Sequence, residues 1–127
     1  MTTAQIIQHL KPGGIESLAL DLLNFSPDDV LISLEGNKSE SLERWPSLSA
    51  HKDRIIFLDK PQRLSAGTCL KLAKALREHD VDAIHTHHIG PYLYGCAARP
   101  FTEVTKHIHT EHDGWHLQNA KHNKIQK

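Results

Sequence analysis

Imidazole is the reactive side chain this sequence offers most freely: eleven histidines stand among 127 residues, several of them in short runs. Because imidazole titrates near neutral pH, it serves as acid, base, charge stabiliser or metal ligand. His85-Thr86-His87-His88 contains a His-x-His spacing, which on a strand places two imidazoles on one face in the manner of a zinc-binding pair. The nearest carboxylates, Asp82 and Glu111, stand outside the run, and Ile89-Gly90-Pro91 follows it, so the motif falls short of a metal site's ligand count. No metal is expected, and the plainer reading makes His85 a core histidine while His87 or His88 hydrogen-bonds loop backbone. His107 and His109 alternate with Ile108 and Thr110 and so share one strand face. His112 is different. It stands at a strand end beside Asp113-Gly114, where the backbone turns and a side chain can face a cleft, which makes it the leading catalytic candidate.

A second chemical feature is the pair Gly13-Gly14 before a helix. It presents bare backbone N–H groups at a helix N-terminus, where the partial positive charge favours a phosphate or a cluster of sugar hydroxyls. The full GxGxxG pattern is missing, so a dinucleotide site is not supported and a simple tight turn is an equal alternative. Glu16, in the first helical turn, repels a phosphate but accepts hydrogen bonds from a polyol, or it only complements the helix dipole.

The elements that must position these residues follow from periodicity. A β-rich run over 4–10 stops at Lys11-Pro12-Gly13-Gly14, and Ile15, Leu18, Ala19, Leu22 and Leu23 then trace the apolar stripe of a helix ending near Asn24. Strands are expected at 30–34, 55–58, 83–86 and 105–110, with helices at 65–79 and from Pro91 through Ala98. The polar stretch 35–52, with its unexplained Trp45, reads as a long surface loop. Strands alternating with helices of this length call for a Rossmann-like, doubly wound, mainly parallel α/β sheet. In such sheets ligands bind beyond the carboxyl ends of the strands, where Gly13-Gly14, His87-His88 and His112-Asp113-Gly114 all fall.

Composition narrows the function. Fifteen Lys plus Arg balance fifteen Asp plus Glu, so no broad basic surface argues for nucleic acid. Apolar residues at 39% and charged residues at 24% describe one globular domain over 1–127. Neither a secretory signal nor a membrane-length apolar window is present, so the cytoplasm is the default address. Cys69 and Cys96 lie in helical segments without CxxC spacing and read as small buried hydrophobes.

The strand–Gly13-Gly14-Ile15-Glu16–helix opening, the run from Val81 to His88 followed by Gly90 and Tyr94-Gly95, and His109-Thr110-Glu111-His112-Asp113-Gly114 together resemble the N-terminal half of the large retaining glycosyltransferase family numbered four. The resemblance implies a GT-B fold, two Rossmann-like domains facing across a cleft, with this chain as the acceptor-side one. It further implies transfer from a nucleotide-sugar co-substrate, without a metal ion or other cofactor, to a glycan or lipid-linked sugar in surface polysaccharide or glycoconjugate synthesis. Peripheral association with the inner face of a membrane fits that role. Gly13 and Gly14 then approach the donor diphosphate or the acceptor, Glu16 stands beside them, His87 and His88 line the acceptor side, and His112 faces the donor sugar and phosphate. The family's donor-binding domain has no counterpart here, so the chain is expected to be an incomplete unit, inactive until a C-terminal domain or split subunit supplies that site. Two other readings compete: a histidine-rich metal-binding or metallohydrolase domain, and a non-catalytic module interacting through an open sheet edge.

Overall fold

The computed structural model describes residues 2–111. Five strands, β1 (Thr3–Ile7), β2 (Val30–Ser33), β3 (Ile55–Phe57), β4 (Ala83–His87) and β5 (Lys106–Thr110), form one parallel sheet in the order β3-β2-β1-β4-β5. Helices α1 (Gly14–Leu23), α2 (Lys38–Arg44), α3 (Ala66–Glu78) and α4 (Ile89–Ala98) connect them. The expected Rossmann-like α/β architecture is therefore present. After running outward from β1 to β3 the chain returns to the far side of β1, so the topological switch point lies between β1 and β4.

Both faces of β1 and β2 are covered, which is why they read as near-continuous apolar runs, whereas β5 at the edge stays partly exposed among the described residues. On one face Ala4, Ile6, Ile32 and Ile84 pack against Leu72, Ala73 and Leu76 of α3 and Tyr94 and Ala98 of α4. On the other, Ile7, Leu31 and Ile55 pack against Ala19 and Leu23 of α1 and against Leu48. The α1 face turned inward is Glu16, Ala19 and Leu23, whereas Leu18 of the expected stripe is 41% exposed.

Residues 35–52 are not a loop. Asn37 caps α2 by accepting from Glu40 N at 3.0 Å, and a 3-10 helix spans Pro46–Arg54. The reason is visible in Trp45 and Leu48, which pack on the α1-side core and give this polar segment two apolar anchors. Arg54 then ties the segment down. Its guanidinium donates to the carbonyls of Leu23, Ser26 and Asp29, satisfying the end of α1 and the turn before β2.

Polar clamps also hold this amino-terminal end of the sheet. Thr2 N donates to Asp82 Oδ2 and Thr3 N to Asp29 Oδ1, both at 2.8 Å, leaving the carboxyl ends of the strands free for other work.

Candidate functional site

The rim beyond the carboxyl ends of β1 and β4 gathers the polar residues. Past β1, Gln8 Nε2 donates to Glu35 Oε2 at 2.6 Å, joining the loops that follow β1 and β2. Gln8 also lies against Gly90, where any Cβ would collide with its Oε1, so a side chain at Gly90 would turn the Gln8 amide away from its present position beside Glu35. His9 Nδ1 stands 3.1 Å from Glu16 Oε2. Glu16 occupies the third helical position of α1, and its carboxylate folds back over the N-cap residue: Oε1 would be 2.6 Å from a Cβ on Gly13. Gly14, by contrast, has nothing within 4 Å of where its Cβ would stand. Among the described residues no packing requires a glycine at that position.

His88 is the conformational outlier of the rim. It caps α4 with φ 77° and ψ 162°, a region populated essentially by glycine alone. Its amide faces Thr110 O at 3.4 Å, and its Nδ1 lies 3.5 Å from Glu111 Oε1. A histidine held in such backbone costs on the order of 1–3 kcal/mol, and such costs concentrate where a side chain must be aimed.

His87 occupies a different place from the one its sequence position implied. It is the last residue of β4 rather than part of the following loop, because the pairing with β5 continues through His87 opposite Thr110. Its ring is fully buried, with Nε2 2.8 Å from Gln5 Oε1 and the ring centroid 4.2 Å from that of His85. His85 is half-buried and pairs through Nε2 with Thr110 Oγ1 at 2.7 Å. His112, with Asp113, Gly114, Trp115 and His116, lies outside the described residues.

Strand alternation divides the remaining histidines. His85 and His87 project from one face; Thr86, His107 and His109 project from the other, where Thr86 Oγ1 lies 2.9 Å from His107 Nε2 and 2.8 Å from His109 Nδ1. Among the described residues no group of three or more His, Cys, Asp or Glu side chains could hold a metal ion. Desolvation, then the positive charge of Arg99, then His109, hold the His107 pKa below the ordinary 6.5. Between the folded value and 6.5 the unfolded chain binds more protons, so His107 makes stability rise with pH through that window. Urea titrations should therefore show a loss of stability as pH falls from 7 to 5, and His107→Gln should flatten that slope. An unchanged slope in the variant would remove His107 from the account.

Of the residues singled out from sequence, the structure brings Gly13, Gly14, Glu16 and His88 to one end of the sheet and places His87 inside it. Gln8, His9 and Glu35 were missed. The usable signal was their position, the first polar side chains after β1 and β2, on a rim that the fold class had already marked out.

A parallel sheet in this order, with a glycine loop and a strained histidine at its switch point, defines a Rossmann-like domain. The chain belongs to Glycosyltransferase Family 4, whose family model matches residues 12–127, and is thus a glycosyltransferase-type domain of GT-B kind. Neither the curated proteins nor the solved structures include a match. Among the described residues no helix is long and apolar enough to cross a membrane.

Proposed function

We propose that this domain binds the sugar acceptor of a retaining, nucleotide-sugar-dependent glycosyltransferase, with a second Rossmann-like domain supplying the donor site. The observation that carries the reading is His88: a non-glycine residue held in glycine-only backbone at the switch point, on the rim that includes Gly14. The charge of that rim favours acceptor over donor. Glu16, Glu35 and Glu111 accept hydrogen bonds from sugar hydroxyls and repel a diphosphate, while His88 and His9 add donors. Among the described residues nothing stands within 4 Å of a Cβ on Gly14, which leaves room for a hydroxyl cluster beside the start of α1. His112 extends this reading toward the donor leaving group, where an imidazole would stabilise developing charge. The acceptor in this reading is a glycan or a lipid-linked sugar, used in surface glycoconjugate synthesis on the cytoplasmic side of a membrane.

Saturation-transfer NMR of the full chain tests the binding role, using methyl and octyl glycosides of the common hexoses beside UDP-glucose and GDP-mannose. We expect transfer to at least one glycoside that Gly14→Val abolishes while the circular dichroism spectrum is retained, because the valine enters open space. A panel without any glycoside signal, or a signal that survives Gly14→Val, would overturn the assignment.

A further inference from the structure

On the α4 side of the sheet, away from the glycine loop, a chain of polar groups leads from β5 to an exposed thiol. Cys96, expected from the sequence to be buried, is exposed on α4, and its Sγ lies 4.0 Å from His107 Nδ1. The far nitrogen of that ring, Nε2, is 2.9 Å from Thr86 Oγ1, which is 2.8 Å from His109 Nδ1. His109 Nε2 in turn stands 3.9 Å from Glu111 Oε2. The Thr86 hydroxyl has one proton to donate, and besides the two imidazoles the Ile108 carbonyl stands 3.5 Å away to accept it; given to Ile108 or to His109, it leaves the oxygen to accept from His107. The Glu111 carboxylate selects the direction. It draws the proton of His109 to Nε2, leaving Nδ1 to accept from the Thr86 hydroxyl, whose oxygen then accepts from His107 Nε2–H. His107 Nδ1 is left as a lone pair facing the thiol.

We propose that Cys96 is a thiol-exchange site, with His107 as its base, that forms mixed disulfides with small carboxylate-bearing disulfides. The Cys96 S–H proton passes to His107 Nδ1. The thiolate attacks one sulfur of the co-reactant, a new S–S bond forms as the old one breaks, and the departing thiolate takes up the proton. Cys96 is oxidised and one half of the co-reactant is reduced, so no other oxidant is required.

Three features around the sulfur fit this chemistry. An open cavity of about 360 Å³ adjoins it, lined by Arg99, Pro100, Thr102, Val104 and His107 besides Cys96 itself. Arg99, held by its hydrogen bonds to the carbonyls of Val104 and Thr105, fixes a positive charge in that wall and favours an anionic co-reactant. Tyr92, one turn back along α4, stands near enough to Cys96 that the sulfur holds its phenol above the ordinary tyrosine pKa, so its O–H stays protonated beside a thiolate. His107 is also shifted below the ordinary imidazole value, so at neutral pH it is neutral and keeps its Nδ1 lone pair toward the thiol, although the same shift weakens it as a base. Cys69 provides an internal contrast, because it packs against the core and burial pushes its pKa up.

The test incubates the full chain with glutathione disulfide, which carries carboxylates, or with cystamine, which is cationic, and follows each cysteine by peptide mass mapping. Cys96 should form the glutathione adduct about ten-fold faster than Cys69 and faster than a cysteine in an unstructured peptide. His107→Gln should slow Cys96 about ten-fold at pH 7.5 without altering Cys69, and Arg99→Gln should erase the preference for glutathione disulfide over cystamine. Equal rates at the two cysteines, or a Cys96 rate indifferent to His107→Gln, would overturn the proposal. Should His107→Gln fail to fold, the comparison of wild-type Cys96 with the free peptide decides alone: a rate no faster than the peptide's overturns it.

Discussion

Gly95→Val is expected to destabilise the domain by roughly 3 kcal/mol, the largest loss we anticipate from a single substitution outside the rim. Gly95 lies where α4 crosses the sheet. A Cβ there would meet Ile84 Cδ1 at 3.0 Å, and both His107 Cε1 and Thr86 Cγ2 at 3.2 Å. The Ile84 methyl can give way by a few tenths of an ångström, but Thr86 and His107 are tied to each other at 2.9 Å and cannot part without losing that hydrogen bond. Alanine should be close to neutral, since its gain in helix propensity of about 1 kcal/mol offsets the tight contact. Valine adds two further methyls to a site already closed on three sides and must lift α4 from the sheet. Thermal denaturation would show a fall of roughly 10 °C for valine and little change for alanine. A valine variant as stable as the parent would mean that α4 does not sit as close to β4 and β5 as described.

His88→Gly should separate stability from binding. Removing the histidine from glycine-only backbone relieves on the order of 1–3 kcal/mol, and glycine returns about 1 kcal/mol of that in unfolded-state entropy. The contact between His88 Nδ1 and Glu111 is partly exposed and contributes little against this. On the backbone terms the expectation is a gain of about 1 kcal/mol, seen as a rise of a few degrees in the melting temperature. The same variant should lose the glycoside signal in saturation-transfer NMR, since the aimed imidazole is gone. A more stable protein that no longer binds sugar is the signature of strain retained for function. A less stable one would show that His88 is held there for packing.

Different parts of this architecture were legible at different levels. The parallel sheet could be read from apolar runs such as Leu31-Ile32 and from the punctuation of Pro12 and Gly13, because both signals are local. The stretch containing Trp45 misled for the opposite reason: its residues are polar almost throughout, and two apolar anchors separated by Pro46 give no helical period, yet docking on the core orders them as helix. Cys96 looked buried from its place in an apolar helix, but α4 presents Pro91, Tyr94, Gly95 and Ala98 inward and leaves the thiol outside.

By itself the sequence determined the order of the elements, the end of the sheet at which polar residues collect, and the family motifs at successive strand ends, since each depends on residue type and spacing within a short window. Only the tertiary structure decided which histidine went where. His87 is buried because β5 pairs one residue further along β4 than composition indicated, His88 is turned into glycine-only backbone at the switch point, and Thr86 is flanked by two imidazoles from a strand more than twenty residues away. The physical reason is register. A strand's side chains alternate with a period of two, so extending a strand by one residue fixes the face of that residue and slipping its pairing by one exchanges both faces, and register is set by packing between distant segments rather than by either segment alone.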